Sequence, residues 1–233
     1  MIFALWDGDH QALLAPAAQA ELWALDVRRL QLNLDDRDVS GALLRLHTST
    51  PIDALVSIWA GPDFYLPTAL DWLQQRSGRV AGWLVDERRR LEPPGVVSGQ
   101  RVDALANIAL IRRPEELARK EWLRRWIEEH TAVAIRTQAS FGYVQNVVQA
   151  ALTADTPDVA GLVEELFPAA GMTDPHAFYG SGGDQAELDR RLGELMASVS
   201  RIGADRDLDL VPSSQYTFLP TSAALAGEGA GVG

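Results

Sequence analysis

The chain of 233 residues contains no cysteine. Disulfide bonds, thiolate metal sites and cysteine nucleophiles are therefore excluded, because each of them requires a thiol. Basic residues are also fewer than acidic ones: 21 Lys and Arg against 32 Asp and Glu give a formal net charge of −11. This acidity argues against binding to nucleic acid or to anionic lipid, since both attract basic patches. Its simplest interpretation is solubility.

Long apolar segments are missing as well. No stretch approaches the roughly 18 uncharged apolar residues that a membrane-spanning helix needs. The first ten residues, "MIFALWDGDH", have neither the basic region nor the apolar core of a signal peptide. We therefore expect a cytoplasmic protein with no membrane partner.

The first part of the chain predicts six elements in the order β-α-β-β-α-β. An apolar run opens the chain, and a candidate helix follows at about 11–23. Leu30, Leu32 and Leu34 alternate with polar residues, as in a half-buried strand. The stretch "ALLRLHT" extends this strand, and "IDALVSIWAG" forms another. A second helix at about 67–77 and a long strand, "RVAGWLVDERRRLEP", complete the unit.

The same order recurs after the stretch "EPPGVVSGQ" at 92–100, whose prolines and glycines indicate a linker. "VDALANIALIRR" predicts a strand, and a helix is expected from Pro114 to about Thr137. "SFGYVQNVVQAAL" and "VAGLVEELF" predict two strands, "QAELDRRLGELMASVSRIG" an amphipathic helix, and "LDLVPSSQYTF" the last strand. We expect one half at 1–95, a second at 101–220, and a disordered tail at 221–233.

Two such units predict an α+β fold made of two ferredoxin-like halves. Each half has a four-stranded antiparallel sheet with its helices on one face, so the other face needs a partner. Each half can supply that partner for the other. We therefore expect the two sheets to pack face to face around a cavity.

The second half resembles the EthD family of the dimeric α/β-barrel superfamily. The resemblance is carried by an apolar strand, the sequence Arg112-Arg113-Pro114, a helix that ends in Trp126-Xaa3-His130, and a strand with Tyr143-Xaa2-Asn146. The match covers about 104–150 well, and the remainder of the second half more loosely. The first half has the same element order without the motif, as in a degenerate repeat.

This resemblance implies an intramolecular dimeric α/β barrel that handles a small molecule. Characterised relatives include lactone isomerases, polyketide cyclases, dehydratases, and oxygenases with or without haem. We expect cofactor-independent proton transfer on a hydrophobic substrate, of the isomerase, dehydratase or cyclase type, and no cofactor. The alternatives are a non-catalytic ligand-binding protein with the same cavity, or a haem-dependent oxygenase with His130 as its axial ligand. A homodimer is also expected, because most members of the superfamily self-associate.

One helical stripe carries the main catalytic candidate. Trp122, Trp126 and His130 follow each other at intervals of four residues, so His130 shares a face with two large aromatics. In an apolar cleft it could act as a general acid–base group, as a cavity histidine does in several relatives. It could equally be a core histidine bonded to a neighbouring polar group. We assign His130 as catalytic and Trp122 and Trp126 as substrate-binding.

Tyr143 and Asn146 lie three residues apart in one strand, so they point to opposite faces and at most one of them lines a cavity. Both are assigned as catalytic candidates that position the substrate. Asn146 could instead bond to His130. A neighbouring pair, Glu164 and Glu165, places one carboxylate inward or at an edge, and we favour edge exposure for this pair.

The glycine-rich stretch "DPHAFYGSGGD" could cover a cavity mouth, although it also suits a plain helix cap and turn. Its His176 and Tyr179 are assigned as substrate-binding. Asp7, Asp9 and His10 could ligate a metal, but the stretch is short and turn-like, so no metal site is predicted.

Overall fold

A computed structural model describes residues 1–220, and the predicted disordered tail at 221–233 lies outside the described residues. Eight strands alternate with helices in the predicted order. The strands are β1 (Ile2–Trp6), β2 (Val27–Leu34), β3 (Ala54–Ala60), β4 (Arg79–Leu91), β5 (Leu105–Ile111), β6 (Gly142–Ala151), β7 (Gly161–Phe167) and β8 (Asp209–Phe218). The helices are α1 (Pro16–Trp23), α2 (Leu66–Gln74), α3 (Arg119–Leu123), a π-helical segment (Arg124–His130), α4 (Thr131–Thr137), α5 (Pro175–Tyr179) and α6 (Gln185–Ile202).

The eight strands form one closed antiparallel barrel. The first half contributes the order β4-β1-β3-β2, and the second contributes the equivalent order β8-β5-β7-β6. Strand β2 pairs with β8, and β4 pairs with β6, so the two sheets join through both pairs of edges. This arrangement confirms the predicted fold class of two ferredoxin-like halves in an intramolecular α/β barrel. Closure leaves no free sheet edge among the eight strands.

The length of β4 makes one of these joints possible. Its first residues, Arg79 to Trp83, pair with β1 of the same half. Its remaining residues, to Leu91, pair with β6 of the other half. Thirteen residues therefore serve two neighbours in succession, which explains why the predicted strand was so long.

The inner face of the barrel has an apolar region and a polar region. One part of the interior is apolar and contains Trp6 and Trp83 among small and branched residues. Elsewhere Gln31 Nε2 and Asn146 Nδ2 donate to the two carboxylate oxygens of Glu164, at 2.6 and 2.7 Å. The helices cover the outer face of the barrel, where they form separate apolar clusters with each half's sheet.

Two sequence predictions were wrong in detail. The helix expected from Pro114 begins at Arg119, because Ala118 has extended backbone dihedrals and Arg113 donates to the carbonyl oxygens of Pro114 and Leu117 in the intervening turn. The stretch "ALLRLHT" at 42–48 is an irregular segment that forms no strand. It leaves its own half instead, and its one bridge pairs Leu46 with a residue of β8.

Packing of the continuous helical segment 119–137 (α3, the π-helical segment and α4) against the second sheet depends on Gly161. A Cβ atom at this position would overlap the ring of Trp126, which is completely buried. We expect Gly161→Ala to lower the free energy of unfolding by about 1–3 kcal/mol, because the ring must shift in a packed core. Urea denaturation would measure the loss.

Gly193 provides the matched control for this prediction. It lies inside α6, and a Cβ there would meet no atom within 4 Å. Gly193→Ala should therefore raise the free energy of unfolding by about 0.5–1 kcal/mol, through helix propensity alone. Equal effects of the two substitutions would contradict this account of the packing.

Candidate functional site

A cavity of about 500 Å³ lies between the outer face of the second sheet and the helices that cover it, and not between the two sheets as expected from the sequence. Its floor consists of side chains from β5, β6 and β7, and its roof comes mainly from α6. The segment 42–48 of the first half contributes to its wall, so both halves build the cavity. Its polar or titratable lining residues include His47, Thr48, Asn107, His130, Tyr143, Tyr179 and Glu165, and its apolar ones include Leu44, Leu46, Ala109, Ile111, Val163, Leu195, Val199 and Ile202.

Three polar side chains form a row across the floor. Glu165 on β7 lies directly opposite Tyr143 on β6 and directly opposite Asn107 on β5. Because side chains alternate between the two faces of a strand, the three share the face that lines the cavity. Their neighbours on that face are mostly apolar, including Ala109 and Val163. The polar groups of the floor are therefore gathered in one place.

Burial changes the protonation of Glu165. The residue is 9% exposed, and among residues 1–220 no cationic side chain forms an ion pair with it. Desolvation raises the pKa of its carboxyl group to about 8, so the neutral acid predominates at neutral pH. Burial, together with the charge of Glu165, raises the pKa of the Tyr143 phenol well above its usual value. Tyr143 therefore remains a hydrogen-bond donor.

Asn107 is buried without a protein partner. It is 1% exposed, and neither Nδ2 nor Oδ1 of its carboxamide has a hydrogen-bond partner within residues 1–220. A buried amide that makes no hydrogen bond destabilises the folded state, so native proteins rarely leave one unpaired in the core. Asn107 is at the same time one of the residues that line the cavity.

His130 connects the helical segment 119–137 to α6. Its Nδ1 lies 2.9 Å from Ser198 Oγ on α6. The ring is 8% exposed, and desolvation lowers its pKa to about 4, so the imidazole is neutral at pH 7. The residue is the last one of the π-helical segment. The backbone amide and the hydroxyl group of the next residue, Thr131, both donate hydrogen bonds to the Trp126 carbonyl oxygen. Such π-helical segments are frequent at functional sites.

The structure brings together three of the seven assigned site residues. His130, Tyr143 and Tyr179 line the cavity. Asn146 points into the barrel and bonds to Glu164 rather than to His130, as the alternation of faces required. The other three assigned residues also lie outside the cavity lining.

The two tryptophans that were assigned as substrate-binding belong to the core. Trp122 and Trp126 are completely buried with their ring centroids 4.8 Å apart, and Trp122 Nε1 donates to the Ile202 carbonyl. His176 lies in the short helix α5, where its Nδ1 contacts Ser181 Oγ. Asp174 caps the start of α5, and Gly180 ends this helix in the left-handed conformation. The stretch therefore has the plain helix cap and turn that was the alternative to a cover over the cavity mouth.

Sequence reasoning missed part of the site. Edge exposure of Glu164 and Glu165 was the wrong expectation: Glu165 is buried in the cavity floor, and the carboxylate of Glu164 bonds inside the barrel. Asn107 was available as a signal, since it interrupts the apolar strand "ALANIALI" with a polar side chain. The sequence could not predict that Ser198 and segment 42–48 lie at or beside the cavity on the second sheet, because these contacts arise only in the tertiary structure.

Within residues 1–220, no group of three or more His, Asp or Glu side chains is placed to hold a metal ion, including the stretch around His10. That imidazole is bonded to Ser77 Oγ at 3.0 Å. In the same residues, no helix combines the length and apolarity needed to cross a membrane.

The fold of the described residues is that of a dimeric α/β barrel in single-chain form. A similar solved structure is that of an anthrone oxidase-like protein, with a TM-score of 0.54 and 11% sequence identity over 94% of this chain and 92% of that one. A proposed monooxygenase from Lactobacillus acidophilus NCFM shares 7% identity over 94% of both chains, with a TM-score of 0.46. No family model and no curated protein sequence matches the chain.

The raised pKa of Glu165 predicts a pH-dependent stability. The folded carboxyl titrates near pH 8 and the unfolded one near its ordinary value, so the folded state binds more protons between those values. Stability is thus fully present below about pH 4.5 and falls as pH rises through 8. The lowered pKa of His130 acts in the opposite direction, with stability lost as pH falls from 6.5 towards 4.

Most of the His130 effect lies below pH 6.5, so the window from pH 6.5 to 8 reports mainly on Glu165. Across it, we expect the free energy of unfolding to fall by about 1–2 kcal/mol in the native protein, and this fall to be absent in Glu165→Gln. Urea denaturation at several pH values would measure both slopes. Parallel slopes for the two proteins would show that the carboxyl is already ionised at neutral pH.

The unpaired amide of Asn107 predicts a gain in stability on its removal. Asn107→Leu has a similar volume and needs no hydrogen bond, so the free energy of unfolding should rise by about 1–3 kcal/mol. Chemical denaturation at pH 7 would measure the change. A loss of stability instead would mean that the amide is paired in the folded protein.

Proposed function

We propose that the protein is a small-molecule enzyme that transfers a proton on a hydrophobic substrate bound in the helix–sheet cavity, with Glu165 as its acid–base group. The observation that carries this proposal is a buried carboxyl with a pKa of about 8, facing an apolar cavity of ligand size. Efficient general acids and bases have pKa values near the working pH, and titratable groups perturbed by burial in clefts are typical of active sites.

Each side chain of the floor has a distinct part in this proposal. The neutral form of Glu165 can donate a proton, and its ionised form can remove one. Tyr143, directly opposite, donates a hydrogen bond to an oxygen on which charge develops. His130 stays neutral and bonds to Ser198, so it positions α6 and the cavity wall rather than supplying a proton.

The reaction class is that of an isomerase, dehydratase or cyclase, each of which needs proton removal or delivery without a further reagent. The resemblance to the EthD family supports a small-molecule substrate. The similar structure of an anthrone oxidase-like protein supports the fold, and its description is in keeping with a cavity for an apolar molecule. The expected cytoplasmic location and the homodimer remain predictions.

A non-catalytic ligand-binding protein is the second candidate function, because the same cavity would serve it. Haem is a poorer fit. Its axial ligand would be His130, whose ring is only 8% exposed, and the floor around it is occupied by Glu165 and Tyr143.

A generic proton-transfer probe tests the enzyme proposal before a substrate is known. In 5-nitrobenzisoxazole, a base removes the ring C–H proton, the N–O bond breaks, and a coloured cyanophenolate forms. We expect catalysis by the ionised form of Glu165, with a rate that rises with pH and levels off above about 8. Glu165→Gln should lose about 10²-fold or more in rate.

Glu164 offers the matched control, because it is the adjacent carboxylate and points into the barrel instead of the cavity. Glu164→Gln should keep the rate of the native protein, provided that circular dichroism shows a folded barrel. If no part of the rate depends on Glu165, the catalytic proposal fails and the cavity is left as a ligand-binding site.

A further inference from the structure

The cavity floor contains hydrogen-bonding capacity that proton transfer by Glu165 does not use. The carboxamide of Asn107 offers N–H donors and an oxygen acceptor side by side, and none of them is paired within residues 1–220. Glu165, directly opposite on the neighbouring strand, also offers a donor and an acceptor when protonated. The two side chains therefore place two donor–acceptor groups next to each other on adjacent strands of the cavity floor.

We propose that Asn107 selects the ligand of this cavity, and that the ligand carries a neutral edge with a hydrogen-bond acceptor beside a donor. A carboxamide, a lactam or an enolised dicarbonyl compound has such an edge. This inference rests on the proposed function only in taking the same cavity as the ligand site. It requires no reaction to occur there.

The surroundings of Asn107 favour a neutral ligand over an anionic one. A carboxylate has acceptors only, so it would leave the Asn107 oxygen unpaired. It would also bring a negative charge beside Glu165 in a cavity with an apolar lining, where charges are poorly solvated. Among the described residues that line the cavity, Arg206 is the one Lys or Arg, and it is already paired with Glu116 at 2.5 Å.

The remainder of the cavity indicates the body of the ligand. Ile111, Val163, Val199 and Ile202 surround the polar row with aliphatic surface. A compact apolar body with one polar edge fits this distribution, since its apolar part gains from burial while its edge satisfies Asn107. Sites built to hydrogen-bond a ligand group discriminate strongly against analogues that lack that group.

Three naphthalene derivatives of equal ring size test the inference at pH 7. These are 2-naphthamide, which has a donor beside an acceptor, 2-acetylnaphthalene, which has the acceptor only, and 2-naphthoate, which is anionic. Equilibrium dialysis against the full chain would give the three dissociation constants. We expect 2-naphthamide to bind at least about tenfold more tightly than either analogue.

Substitution then assigns this preference to one residue. Asn107→Leu should bind 2-naphthamide and 2-acetylnaphthalene with affinities within about threefold of each other. Gln145→Leu is the matched control. Gln145 is also buried with both amide atoms unpaired within residues 1–220, and it shares the face of Tyr143, but it does not line the cavity. This control should keep the full preference.

Several results would overturn the inference. They are equal binding of the three compounds, no binding of any of them, tightest binding of 2-naphthoate, or a preference that survives Asn107→Leu. If that variant is unfolded, the ranking by the native protein still decides, and Asn107→Ser replaces the variant. A preference for 2-naphthamide without Glu165-dependent proton transfer would support this inference and overturn the enzyme, whereas the reverse pattern would overturn only the inference.

Discussion

The pairing of β4 with β6 and of β2 with β8 is the interaction on which the rest of this structure depends. Without it, each half would leave one sheet face and two edges exposed to water. Closure gives every strand two neighbours and separates an inner face, enclosed by the barrel, from an outer face covered by helices. Each side chain on a strand must then belong to one of two environments.

Alternation along β7 gives two adjacent carboxylates different chemistry. Glu164 faces the interior, where two amide groups donate to it, although burial still raises its pKa. Glu165 faces the helices, and desolvation alone raises its pKa to about 8. On β6 the same alternation places Tyr143 in the cavity and Asn146 in the barrel. A shift of register by one residue would exchange all of these roles.

Local periodicity and pairing rules were sufficient to predict the order of the elements and two four-stranded sheets that pack on each other, whereas the barrel was implied by the resemblance to the EthD family. The alternation of side chains along a strand also predicted that Tyr143 and Asn146 would separate. The sequence could not show whether Trp122 and Trp126 belong to the core or to a ligand-binding surface, because both cases give the same spacing of aromatic residues. The cavity arises where α6 and segment 42–48 meet the second sheet, and no local pattern records that contact.

Titration of Glu165 is the measurement closest to the chemistry of this site, because a neutral acid at pH 7 requires a raised pKa. Carbon-13 NMR of glutamate carboxyl groups, with the Glu165 resonance assigned by its loss in Glu165→Gln, would follow this one group through pH. We expect a midpoint near pH 8. A midpoint near 4.5, the ordinary value for glutamate, would contradict this expectation.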